Sequence, residues 1–204
     1  MPTLVLASQS PRRRALLQQL GLNPVVAPAH INEIPHSHES ALHLVERLAI
    51  GKAQVVSAEQ TRAHPRSTSN IIIAADTVVQ LDGDILGKPV DEADGLRMLH
   101  SLSGRTHQVI TGVCVVSGSE QRVRVVQTQV TMGEISSMDA LRYWQSGEPA
   151  GKAGAYAIQG LGAAFVQDVT GSYSNVVGLP LYDTVQMLAE LDFDVFKVRS
   201  ANEN

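Results

Sequence analysis

Aromatic side chains are scarce in this 204-residue chain, at only 4% of positions. The core must therefore be built from Val, Leu, Ile and Ala, and a platform for stacking single-stranded bases is not expected. There is a single cysteine, Cys114, which excludes an internal disulfide and suits a reducing compartment. Its neighbours, Gly112-Val113 and Val115-Val116, read as a buried strand in which a thiol serves as a small hydrophobe. Excess positive charge is also missing: the formal net charge is -4. Long-range attraction to nucleic acid or to an anionic membrane is thereby excluded, so neither is expected as a partner. A polyanionic substrate would need cations concentrated locally. No apolar run is long enough to cross a bilayer, and Met1 to Ser8 lacks the basic start of a signal peptide. A cytoplasmic setting is expected. The seven histidines do not fall in a zinc-like spacing.

What the chain does have is an ordinary globular balance, 44% hydrophobic and 18% charged, without repeats, low-complexity tracts or a linker. Leu4 to Ala7 reads as a short buried strand. Ser10 fits a helix N-cap and Pro11 the first helical position, with Leu16, Leu17 and Leu20 as the apolar stripe and Gly21 as the C-cap. A Pro-containing loop leads to a second helix expected over His38 to Ser57. Residues 63–70 read as an exposed loop. Ile71 to Ala75 is a continuous apolar run, the pattern of a strand covered on both faces, and is expected to stop at Asp76-Thr77. Asp82-Gly83 between two apolar segments signals a hairpin.

Further helices are expected over Asp91 to Leu102, Met138 to Gln145 and Leu181 to Leu191. Strands are expected over Val109 to Val116, Val123 to Met132, Ala155 to Ile158 and Ala164 to Val166. The alternation defines one α/β domain over residues 1–199 with a mixed sheet. A disordered tail is expected over 200–204.

Two places stand out chemically. At Ser8-Gln9-Ser10-Pro11-Arg12-Arg13, a strand feeds a capped helix whose free N–H groups and dipole attract anions. Guanidinium groups grip phosphate bidentately, and arginines at the positive end of a helix call for a compensating anion. The competing reading is a cap followed by solvated arginines. The second place is Asp76, a carboxylate closing a strand of Ile and Ala where α/β sheets bind ligands. It could bind a metal or take a proton from attacking water, or be a turn carboxylate. Glu33, Lys52, Lys88 and Lys152 are charges in apolar or Gly-rich surroundings, a setting in which a solvated surface charge is the commoner role. Gly83 to Lys88 is too short for a P-loop, and Pro89 stands where Ser or Thr is required.

Ser8-Gln9-Ser10-Pro11-Arg12-Arg13, Ala75-Asp76-Thr77, Gly87-Lys88-Pro89, Lys152 to Gly160 and Gly171 to Leu181 together resemble the Maf family, in family order over nearly the whole chain. The resemblance implies a fold similar to that of inosine triphosphate pyrophosphatases. That fold is an elongated mixed sheet flanked by helices, with two lobes around a cleft. It implies hydrolysis of a nucleoside triphosphate to the monophosphate and pyrophosphate with a divalent cation, Mg²⁺ or Mn²⁺. By position, Asp76 resembles the family's proton acceptor, and Ser8, Arg12, Arg13, Glu33, Lys52 and Lys88 its substrate-binding residues. Asp76 and Glu33 are the candidate metal ligands, with no choice made between them. Arg12, Thr77 and Gln159 together are similar to the branch acting on dTTP and UTP, with modified pyrimidine triphosphates as further candidates. The branch acting on 7-methyl-GTP tends to have Trp, Gln and Glu there. A homodimer is expected by resemblance alone. The rival implied by the same resemblance is a non-catalytic nucleotide-binding regulator of septum formation, which would not need Asp76.

Overall fold

The computed structural model describes residues 2–63 and 70–197. The loop expected over residues 63–70 and the tail over 200–204 therefore lie largely or wholly outside the described residues. In chain order the elements are β1 (Thr3–Leu6), α1 (Pro11–Gln19), β2 (Val25–Val26), α2 (Ala41–Ala63), β3 (Asn70–Leu81) and β4 (Asp84–Leu86). They continue with α3 (Glu92–Leu102), β5 (Thr106–Ser117), β6 (Glu120–Met132), α4 (Ser137–Gln145), β7 (Val166–Thr170), α5 (Tyr173–Val177) and α6 (Leu181–Ala189). The strands form one seven-stranded mixed sheet in the order β2-β1-β3-β5-β6-β7, with β4 paired to β3. The α/β class expected from the sequence is the class observed.

The chain divides into two compact units, and β3, β5 and β6 contribute residues to both. The first unit comprises Met1–Asp76, Thr111–Val126 and Gly178–Asn204. Within it, β1 runs parallel to β3, with Leu4 opposite Ile71 and Leu6 opposite Ile73. Side chains alternate along a strand, so Ile72 and Ala74 share one face of β3. That face meets Ala49, Ala53 and Val56 of α2 together with Val5, Ala7, Cys114 and Val116 in one fully apolar cluster. Cys114 is a buried hydrophobe, as expected, and burial pushes its thiol up to about 12. A Cβ at Gly112 on β5 would overlap the backbone of α2 at Val45. Glycine is required there because a helix backbone lies against the strand.

The second unit comprises Thr77–Ile110 and Gln127–Val177. Its hairpin matches the expectation: Val79 pairs with Leu86 and Leu81 with Asp84. Asp82 and Gly83 both take positive φ, 51° and 93°, as a two-residue primed turn demands. α3 is capped by Asp91, whose side chain accepts from Asp94 N at 2.8 Å. It packs against α4 so closely that a Cβ on Gly95 would overlap the Trp144 ring.

Four expectations need correction. β3 does not stop at Asp76-Thr77 but continues to Leu81, because the carboxylate is neutralised within the fold instead of being left at a turn. α2 begins at Ala41, after Ser40 accepts from His43 N at 3.3 Å, and runs to Ala63 on polar helix formers. Ala155 to Ile158 is not a strand: residues Ala153–Ala155 form a 3₁₀ turn with Gly154 and Ala155 at positive φ. Gly154 N donates to Gly87 O at 3.0 Å, which turns this segment away from any ladder. Ala164 and Phe165 belong to a second 3₁₀ turn, Leu161–Phe165, and strand β7 starts only at Val166. β2 and α5, two and five residues long, were too short to leave a periodic signal.

Candidate functional site

In the first unit, the register of β3 decides where its carboxylate lies. Asp76 is two residues beyond Ala74, so it shares the face that carries Ile72 and Ala74 against α2. β1 ends opposite Ile73, where Ala7 N donates to Ile73 O at 2.8 Å. Asp76 thus lies past the carboxyl end of its parallel neighbour although it is inside its own strand, and the strand-end rule still applies locally. Lys52 occupies the buried stripe of α2, between Ala49 and both Ala53 and Val56 at helical spacing. Its ammonium bridges two carboxylates, at 2.6 Å from Asp76 Oδ1 and 2.6 Å from Glu33 Oε1.

The Lys52 and Asp76 side chains are only 9% and 12% exposed, whereas Glu33 is 48% exposed. Removing a charge from water is tolerated when it is paired, so Lys52 and Asp76 hold each other in place. The loop that carries Glu33 is fastened to α2 by Arg47. Its Nε and Nη2 reach the Glu39 carboxylate at 2.6 and 2.7 Å, and Nη2 also donates to Ile34 O at 3.2 Å. These bonds, together with one from His36 N, bring the Glu39 carboxyl down to about 2.

α1 opens as expected. The Ser10 hydroxyl accepts from Arg13 N at 3.4 Å, Pro11 holds the first turn, and no acidic residue lies in that turn. Ser8 Oγ accepts from Ser10 N at 3.2 Å and from Arg13 Nη1 at 3.1 Å, while Arg13 Nε donates to Gly178 O at 2.8 Å. Gly178 belongs to the Gly171-to-Leu181 segment singled out in the sequence. Burial lowers the Arg13 pKa, an effect that Asp76 opposes, Arg12 reinforces and Glu33 opposes. Burial likewise lowers the Arg12 pKa. Among the described residues the half-buried Arg12 guanidinium makes no hydrogen bond or ion pair. A desolvated cation at the positive end of a helix favours an anion.

Of the sequence-selected residues, Ser8, Arg12, Arg13, Glu33, Lys52 and Asp76 lie in this first unit, and direct contacts join Ser8 to Arg13 and Lys52 to both carboxylates. Thr77, Lys88 and Gln159 belong to the second unit, where Lys88 and Gln159 are exposed and Thr77 is half-buried. Lys152, also in the second unit, donates to Ala150 O at 3.2 Å.

No group of three or more metal-ligating side chains occurs among the described residues. Asp76 and Glu33 supply oxygen donors of the type Mg²⁺ takes, and one oxygen of each is bonded to the Lys52 ammonium. Among the described residues no helix is long and apolar enough to cross a membrane.

Sequence reasoning missed Arg47 and Glu39 as the fastening of the Glu33 loop. The i, i+8 separation of Glu39 and Arg47 across a helix start gives no periodic signal. It also missed Tyr143 and Glu148, whose backbone partners lie 13 and 14 residues away.

The fold and these contacts define an α/β protein with an anion-attracting helix start and a buried carboxylate held by a lysine. Residues 3–191 match the model of the Maf-like protein family, and the chain belongs to that family. It is 46% identical over 196 residues to a dTTP/UTP pyrophosphatase of Symbiobacterium thermophilum, covering 96% of this chain and 97% of the relative. A dTTP/UTP pyrophosphatase of Vibrio vulnificus is 49% identical over 190 residues, covering 93% and 99%. One of Saccharophagus degradans is 46% identical over 194 residues, covering 95% and 91%.

Proposed function

We propose that this protein hydrolyses dTTP and UTP to the monophosphate and pyrophosphate. The carrying observation is the Lys52 ammonium bridging Asp76 and Glu33 in the same unit as the Arg12-Arg13 helix start, in a chain whose relatives bear that activity in their names. Arg12 and the α1 N-terminus bind phosphate oxygens, while Arg13, anchored to Ser8 and Gly178, adds a positioned positive charge.

Lys52 donates to one oxygen of Asp76, and the other oxygen takes the proton of a water attacking the α-phosphorus. A new P–O bond forms there as the bond to the α,β-bridging oxygen breaks, and pyrophosphate leaves with the bond's electron pair. Positioning and charge neutralisation supply the rate enhancement. A divalent cation, Mg²⁺ or Mn²⁺, held by Asp76 and Glu33, would supply further neutralisation of phosphate charge.

In the second unit, Lys88 is assigned to phosphate, and Thr77 and Gln159 to the base. Thr77 and Gln159 together with Arg12 make up the three specificity positions. A side-chain amide donates and accepts together, which suits the O4 and N3–H edge shared by uracil and thymine. Modified pyrimidine triphosphates that keep this edge are further substrates. A cytoplasmic setting suits both a nucleotide substrate and a buried free thiol. The homodimer expected by resemblance is checked by light scattering.

The test is steady-state hydrolysis of a nucleotide panel with Mg²⁺ and detection of released pyrophosphate. Preference for dTTP and UTP is expected. Preference for GTP or its methylated forms, or binding without pyrophosphate release, overturns the reading.

A further inference from the structure

Gln159 lies on an exposed turn between two 3₁₀ segments, a poor place from which to read a base unless something holds the turn. The second unit contains such a hold. The Glu148 carboxylate accepts from Leu161 N and Gly162 N, both at 2.9 Å, and from the Tyr143 hydroxyl at 2.7 Å. The Tyr143 oxygen in turn accepts from Ala157 N at 3.0 Å. Gly160 N donates to Ala157 O at 3.2 Å and closes the turn itself.

The backbone is therefore grasped two residues before Gln159 and two and three residues after it. The two amides that Glu148 receives are successive N–H groups at the start of a 3₁₀ turn with no side-chain cap of its own, a concave pair that suits a carboxylate. Burial opposes ionisation of Glu148, but the hydrogen bonds from Gly162, Tyr143 and Leu161 outweigh it and lower its pKa. The fit is close on both sides: a Cβ on Gly160 would overlap the Glu148 carboxylate, and one on Gly162 would lie 2.5 Å from the Tyr143 hydroxyl. Tyr143 is itself fixed on α4, with its ring edge-on to Phe165 at a centroid distance of 5.3 Å.

We infer that Glu148 and Tyr143 are positioning residues that set base discrimination by holding the turn that presents Gln159. The inference rests on the proposed role of Gln159. Discrimination through one or two hydrogen bonds demands placement within about half an ångström. An amide can also turn over and meet the cytosine edge as readily as the uracil edge. A held backbone limits the first freedom by fixing where the amide starts from.

The experiment is a double-mutant cycle on the whole protein, with dTTP, UTP and CTP as substrates and pyrophosphate as readout. The variants are Glu148→Gln, Tyr143→Phe, Gln159→Ala and the Glu148→Gln/Gln159→Ala double, each with a thermal melt. Glu148→Gln is expected to narrow the dTTP-over-CTP ratio of kcat/KM by about tenfold, mainly through the KM for dTTP. Tyr143→Phe, which keeps the ring packing, narrows it less. The double variant discriminates no worse than Gln159→Ala alone, because both changes disable the same reader. An unchanged ratio in Glu148→Gln, a parallel loss on all three nucleotides, or additive effects overturns the inference. If Glu148→Gln melts too early to assay, Tyr143→Phe decides by the same ratio. A wild type without nucleotide hydrolysis, or a Gln159→Ala variant with full discrimination, overturns the parent reading instead.

Discussion

The charged residues of the first unit and the polar residues of the second reach their places by different means. In the first unit, side chains hold side chains: Lys52 grips Asp76 and Glu33, and Arg13 grips Ser8. The strand and helix beneath them are apolar and tightly packed, so the charges have few alternative arrangements. In the second unit, Glu148 and Tyr143 hold backbone amides on both sides of Gln159, which lies on an exposed turn. The contrast matches the roles proposed for these residues: a proton acceptor needs a fixed place, whereas a group that reads a base must stay open to it. On that proposal, chemistry is built into a buried stripe and recognition is hung from a braced turn.

The comparison can be tested at several depths. The largest effect is expected at Asp76. Asp76→Asn keeps the shape of the first-unit cluster but removes the proposed proton acceptor, and kcat should fall by about a thousandfold while nucleotide binding changes little. Single-turnover hydrolysis that survives nearly intact would show that Asp76 is not the base.

Next comes acid sensitivity of the second unit, whose buried interior relies on a neutral polar pair instead. His107 is 2% exposed, its Nε2 lies 2.8 Å from the Tyr156 hydroxyl, and Nδ1 has no partner among the described residues. Burial pushes its pKa from 6.5 down to about 4. The unfolded chain therefore binds a proton that the native state refuses, and stability falls as pH drops through that window. The full loss is on the order of 3 kcal/mol. Urea unfolding at pH 7 and pH 4.5 should show it, and His107→Gln should show less of it.

A third change, Lys52→Met, leaves two carboxylates facing each other without their cation and should lower kcat/KM by about a hundredfold. Retained activity would mean that a metal alone neutralises the site. The smallest effect is expected at the base reader proposed in the second unit: Gln159→Ala should reduce the preference for dTTP over CTP by about tenfold and leave melting unchanged. An equal loss on both nucleotides would assign Gln159 to phosphate binding or structure instead of the base.

Much of this architecture was legible from residue patterns. The cap at Ser10, the Pro at the head of α1, the hairpin at Asp82-Gly83 and the apolar runs of β3 and β5 are local signals, and they produced the elements expected. Asp76 was picked out because a carboxylate after Ile71 to Ala75 has no easy surface role. The strand nevertheless runs on through Asp76 to Leu81. The segment around Tyr156 reads as a strand because alternating small and large residues mimic one. Its true path depends on Gly154 N bonding to Gly87 O, 67 residues away in sequence and invisible to any periodicity.

Lys52 marks the boundary between the two kinds of knowledge. The sequence by itself placed Lys52 among apolar and Gly-rich neighbours, where a solvated charge is the commoner role, and Asp76 at the end of an apolar run. Only the tertiary structure decided that Lys52 lies on the buried stripe of α2 and Asp76 inside β3 against it, so that each is the other's counter-charge. Burial penalises an unpaired charge whatever element bears it, but the distance that cancels the penalty, 2.6 Å here, is a property of packing and not of either segment alone. Glu148 goes further: no sequence pattern singles it out, and its three donors exist only once the chain has turned back onto it.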